Sequence, residues 1–161
     1  MKRLLTFMVM LASLAGCGVQ PTGVLDGGAP SSGIPEGIRL YFVSDNGLRG
    51  VARPGLELSS LEQALNLLRL GPLKAEVALG LSNDFFVPGP YRIARAGSEL
   101  TVTLPNVGVS LFTGSRAGQV VCTLSRAEIL LHGSTTDAVR VTIAGSDGSV
   151  GPYECAQFLR S

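Results

Sequence analysis

The chain has 161 residues, with 13 Lys and Arg against 12 Asp and Glu, a formal charge of +1. That balance provides no basic field to hold nucleic acid or anionic lipid by charge alone. Aromatic residues make up 6% and tryptophan is absent, which argues against a sugar-stacking platform, while 45% hydrophobic residues suffice for a core.

Lys2 and Arg3 form a basic n-region, Leu4 to Leu14 an apolar h-region, and Ala15 and Gly16 the small residues of a cleavage site. This is the layout of a secretory signal peptide over residues 1–16. The apolar run falls well short of the roughly 20 residues that cross a bilayer. Leu14-Ala15-Gly16-Cys17 closely resembles the bacterial lipoprotein lipobox. The resemblance implies cleavage before Cys17, a thioether-linked diacylglycerol on its sulfur, and a further acyl chain such as palmitate at the new amino terminus. Two or more acyl chains anchor stably, whereas one holds only marginally. The expected partner is thus the membrane, through the lipid on Cys17, and the expected location is the outer face of the cytoplasmic membrane. The alternative is an ordinary secreted protein in which Cys17 is incidental.

Residues 18–36, GVQPTGVLDGGAPSSGIPE, are dominated by Gly, Pro and Ser without a sustained period. Together with Cys17 they read as a tether, whose flexible-coil span is roughly 25 Å. The domain then occupies residues 37–161. Ile38, Leu40 and Phe42 alternate with Arg39, Tyr41 and Val43, the period of a strand. Asp45-Asn46-Gly47 is a turn signal, and Leu48 to Arg53 return as a second strand stopped by Pro54.

In SSLEQALNLLRLGP, Ser59 and Glu62 have the spacing of a capping box. Leu61, Ala64, Leu65 and Leu68 share one helical face, Gly71 supplies a left-handed cap, and Pro72 forbids continuation. GLSNDFFVPGP reads as a loop. YRIARAGSELTVTLP reads as a hairpin turning at Gly97-Ser98. Ser115 is placed to cap a second helix, with Ala117, Val121, Leu124 and Leu131 on one face and Gly133 at its end. AVRVTIA and VGPYECAQF form a last hairpin around Ser146-Asp147-Gly148. The predicted class is α+β, with two helices packed on a mostly antiparallel sheet in the order β-β-α-β-β-α-β-β.

With Cys17 lipidated, Cys122 and Cys155 remain as an even pair in an oxidising compartment. One disulfide is the plain inference. The alternative is two free buried thiols.

The stretches YFVSDNGLRGVAR, SLEQALNLLRLGP, GLSN with FVPG, SELTVTL, GQVVCTL and VRVTIAG together resemble the GerMN domain of sporulation and spore-germination lipoproteins. The likeness covers about residues 38–145. Its most specific element is the leucine-rich helix closing in Leu70-Gly71-Pro72, followed by Gly80-Leu81-Ser82. The Gln119 and Thr123 helix is the second. Actinobacterial lipoproteins of this type carry similar cysteines in that helix and near the end. Phe85-Phe86 before Pro88 departs from the family's loop. The resemblance implies no catalytic residues.

The residues themselves offer little for catalysis. A Ser-His-Asp or Cys-His site needs a histidine base. His132, the only histidine, stands at a predicted helix C-terminus, where the dipole favours a cation or donor. A zinc site needs three or four ligands, which this inventory does not supply, and no phosphate loop occurs. No metal, cofactor or nucleic-acid partner is therefore expected. Asp84, Glu99, Glu57 and Glu62 are scattered carboxylates with no spacing that recommends a glycosidase pair.

Two surface features remain as binding candidates. Arg49 and Arg53 project from one face of the second strand and can clamp a carboxylate or phosphate, or simply form a solvated edge. Asp84, Phe85 and Phe86 lie in a Pro/Gly loop, where the phenylalanines either cover the core or form an exposed anchor. The expected function is a non-catalytic, membrane-tethered domain that binds an envelope protein or peptidoglycan. The rivals are a carboxylate-based envelope hydrolase and a purely structural lipoprotein.

Overall fold

The computed structural model describes residues 37–133 and 139–159. Residues 1–36, which include the expected signal peptide, Cys17 and the expected tether, lie outside the described residues.

The first hairpin pairs β1 (Ile38–Ser44) with β2 (Gly47–Arg53). Ser44 opposes Gly47, so Asp45 and Asn46 form the loop, and the positive φ of 93° falls on Gly47. Ile38, Leu40 and Phe42 are buried, as their alternation requires.

Helix α1 (Leu61–Leu70) buries the expected face of Leu61, Ala64, Leu65 and Leu68. Its cap sits one residue later than Ser59. The Ser60 hydroxyl accepts from the Gln63 N–H at 3.2 Å, and Gln63 Oε1 accepts from the Ser59 N–H at 2.7 Å. Ser60-x-x-Gln63 is itself a box sequence, and Glu62 takes no part in these bonds. Gly71 ends the helix with positive φ, but its ψ of −175° takes it outside the left-handed helical region.

The sequence reading missed a one-turn helix, α2 (Lys74–Val77), directly after Pro72. Glu76 Oε2 accepts the Leu73 N–H at 2.7 Å and so caps its first turn.

The second hairpin, β3 (Arg92–Ala96) and β4 (Glu99–Thr103), turns at Gly97-Ser98 as predicted. Helix α3 runs from Gly114 to His132, with Thr113 at its N-cap and Gly133 in the left-handed region at its end. Ser115 lies inside this helix and does not cap it; its hydroxyl instead donates to Asp84 Oδ2 at 2.6 Å. The third hairpin is β5 (Arg140–Gly145) and β6 (Gly148–Glu154). Short 3-10 turns lie at Val109–Leu111 and Cys155–Gln157.

The α+β class holds, but the single sheet does not. The strands form a two-stranded sheet, β1-β2, and a separate four-stranded sheet, β3-β4-β5-β6. Within the second, β4 and β5 are parallel. The cause is the connection: α3 leaves the end of β4 and carries the chain back, and a helical crossover of this kind yields a parallel neighbour. The observed order is β-β-α-α-β-β-α-β-β.

Helix α3 is central. Residues 117–125 are buried all round, where one apolar face was expected. The helix packs against β1, β2, α1, β5, β6 and the turn at Cys155. A helix covered on every side loses its solvent face. Gly118 marks the tightest approach, because a Cβ there would stand 2.6 Å from Leu48 Cδ1 and 2.8 Å from Phe158 Cγ. Cys122, also on α3, forms a disulfide with Cys155, their Cα atoms 4.6 Å apart. It ties the last hairpin to the central helix.

Candidate functional site

The loop after α2 is built onto the central helix by polar side chains. Ser82 forms a two-way backbone bridge with Val43, both bonds at 2.9 Å. Asn83 Nδ2 donates to the carbonyls of Leu68 and Phe85 at 3.0 and 2.9 Å, and its Oδ1 accepts the Phe85 N–H at 3.1 Å. Gln119, fully buried on α3, accepts the Asp84 N–H at 2.8 Å and donates to Asn83 Oδ1 and the Tyr41 carbonyl, each at 2.9 Å. Arg116 Nε donates to the Asp84 carbonyl at 3.0 Å. A loop rich in Pro and Gly is thus fixed residue by residue.

This anchoring sends the two phenylalanines in opposite directions. Phe85 is fully buried, 6.0 Å from the ring of Tyr91 and 6.5 Å from that of Phe112. It belongs to the core and leaves the candidate binding set. Tyr91 donates its hydroxyl to the Val87 carbonyl at 2.5 Å. Burial pushes its phenol above the ordinary tyrosine range, with nearby Arg69 acting in the opposite direction.

Phe86 is 69% exposed. It borders a cleft of about 280 Å³ whose apolar walls include Val87, Pro88, Val107 and Leu111, with Asp84 and Arg116 also on its lining. Leu111 is exposed as well. An exposed aromatic beside an apolar cleft with a polar rim has the composition of an interface centre. Asp84 is the cleft's one carboxylate, and Ser115 holds it. The sequence reading missed Val107, Leu111 and Arg116. They lie more than twenty residues away in the chain, on the segment after β4 and at the start of α3, and only the tertiary fold brings them to Phe86.

The two arginines on β2 are not a free clamp. Arg53 grips Glu76 through both guanidinium nitrogens, at 2.5 and 2.7 Å, and lies 5.6 Å from the Phe42 ring centroid. Its fork is filled by a carboxylate of the chain itself, so Arg53 is neither a clamp for a ligand carboxylate or phosphate nor a solvated edge residue. That guanidinium, aided by the Leu73 N–H, holds the Glu76 carboxyl below the ordinary glutamate range against the opposing effect of burial. Arg49 is exposed on the same strand. Neither arginine lines the Phe86 cleft.

His132 pairs with Glu128 through Nδ1, at 2.9 Å, one helical turn back. Glu128 is nearly fully buried and also accepts from Arg95 Nε at 2.5 Å. Glu99 pairs with Arg140 across β4 and β5. Among the described residues no cluster of three His, Cys, Asp or Glu is placed to hold a metal ion, and no helix is long and apolar enough to cross a membrane. No protein-family model, curated protein or solved structure matches the chain.

Proposed function

We propose that this chain is a membrane-anchored extracytoplasmic lipoprotein, held by lipid on Cys17, whose GerMN-like domain is a non-catalytic binding module for an envelope protein. The observation that carries the binding role is Phe86, 69% exposed at the mouth of an apolar cleft on a loop pinned to the central helix. Loops held by a rigid scaffold present binding groups in fixed geometry. The Cys122–Cys155 disulfide fits an oxidising, extracytoplasmic compartment. Of the two helix residues that help carry the GerMN resemblance, Gln119 pins the loop at Asp84 and Asn83, and Thr123 holds the Tyr41 N–H of β1. A hydrolase acting through paired carboxylates fits less well, since Asp84 stands alone in the cleft and is bonded to Ser115.

The test is site-specific photocrosslinking in living cells, with the reactive group at Phe86 and, as comparison, at Arg92 on the outer strand. Adducts of one protein at Phe86 and none at Arg92 are the expected result. Peptidoglycan adducts alone, or identical patterns at both positions, would contradict the reading.

A further inference from the structure

We infer that the segment from Leu70 to Leu79 is a second contact face, one that rests on the lipid surface of the membrane to which the chain is tethered. Leu70, Leu73, Val77 and Leu79 are 71%, 60%, 56% and 71% exposed. Leu73 and Val77 lie one turn apart across α2, joined by a backbone bond of 2.9 Å. Four large apolar side chains exposed within ten residues, two of them one helical turn apart, give the segment an apolar surface that calls for a nonaqueous neighbour.

The backbone beneath the patch suits lipid in particular. Entering an apolar interface is costly for unpaired amides. Here the N–H groups of Gly71, Glu76, Val77, Ala78, Leu79, Gly80 and Leu81 bond to carbonyls between Leu68 and Val77, so that only those of Lys74 and Ala75, in the first turn of α2, are left to the headgroup side. Pro72 has no N–H, and Glu76 takes that of Leu73. Glu76, the segment's one carboxylate, is itself neutralised by Arg53. Lys74 is exposed at the edge, where an ammonium can meet headgroup phosphates while the leucines enter the acyl boundary. Arg69 flanks the segment near Tyr91, and Asp45 lies near Gly80.

Its position agrees with the tether. Gly37 is the first described residue after residues 17–36, and it lies directly on the Arg53 backbone; a Cβ there would be 2.0 Å from the Arg53 carbonyl oxygen. The side chain of that same Arg53 holds Glu76 of α2. One residue therefore joins the end of the tether to the leucine segment. A reach of roughly 25 Å allows the domain to lie down on the bilayer. The inference rests on the anchored reading above, and the test separates the two.

The chain lacks tryptophan, so Leu79→Trp is a reporter without background. The processed protein from cells is reconstituted with phosphatidylcholine–phosphatidylglycerol vesicles carrying brominated acyl chains. Flotation reads anchoring, and quenching reads contact. Val77→Trp repeats the measurement, and Phe86→Trp reports the mouth of the cleft. Strong quenching at Leu79→Trp and Val77→Trp, with little at Phe86→Trp, is expected. In a Cys17→Ser chain expressed without residues 1–16, which carries neither the lipid nor the apolar leader, the same contact should persist at higher vesicle concentration and weaken roughly tenfold with Leu73→Ser. Quenching in the Cys17→Ser protein would uphold the contact face even if the cellular protein carried no lipid. Flotation without quenching would overturn the contact face and leave the anchor. Neither flotation nor quenching would overturn both. An emission shift that grows with protein concentration and ignores vesicles would assign the patch to a second copy of the chain and overturn the lipid assignment.

Discussion

Gln119, in the buried middle of α3, donates to the Tyr41 carbonyl at 2.9 Å, and Thr123, one turn later, accepts the Tyr41 N–H at 3.2 Å. Two side chains on one helix thus take both free backbone groups of a strand residue, in place of a neighbouring strand. Ser82 does the same for Val43 two residues along. This explains how β1 remains in a two-stranded sheet with its outer edge facing the helix and the site loop.

Replacing Gln119 with Leu removes the partners of the Tyr41 carbonyl and the Asp84 N–H while keeping the volume. Each buried group left unpaired costs about 1–3 kcal/mol. Urea unfolding should therefore show a loss of about 2–6 kcal/mol. Thr123→Val, which strands one group, should lose less.

The disulfide between Cys122 and Cys155 should contribute about 3–4 kcal/mol by restricting the unfolded chain. Cys155→Ala should lower the thermal midpoint, and reductant should shift the parent protein but leave the variant unmoved.

Arg53 and Glu76 predict an acid dependence. The folded carboxyl lies below its ordinary value of 4.5. Such a group contributes stability that is present in full above the unfolded value and lost as pH falls through the folded one. Arg53→Met should cost about 1–2 kcal/mol at neutral pH. The gap between variant and parent should narrow as pH falls below 4.5 and close in stronger acid, read by urea titrations across that range.

Local elements were legible because their signals are local. The face of α1, the turns at Asp45-Asn46 and Gly97-Ser98, the end of α3 at Gly133 and the Cys122–Cys155 pair all follow from spacing or from residue type. The split into two sheets was not legible. Nothing in the strands themselves says that β4 pairs with β5 across a long helix, nor that β1 is completed by Gln119 and Thr123. Apolar period failed on α3 because Gln119, Thr123, Ser125 and Glu128 are polar yet buried. For the site, composition placed Phe85 and Phe86 in one loop but did not distinguish them. Their opposite fates depend on Asn83 and Gln119, which fix the backbone between.

That division gives a paired prediction. Phe85→Ala should lose about 3–5 kcal/mol, as expected for an aromatic removed from a packed core. Phe86→Ala should stay within about 0.5 kcal/mol of the parent, as surface changes do. In the crosslinking assay, a nearby reporter at Leu111 should lose its protein adduct when Phe86 is removed.

The claim on which the account turns is lipid attachment at Cys17, and mass spectrometry of the mature amino-terminal peptide from cells tests it most directly. The expected mature chain begins at Cys17 with a diacylglycerol thioether, and Cys17→Ala converts it to an unprocessed form. An unmodified Cys17, or a mature chain beginning elsewhere, would contradict that claim.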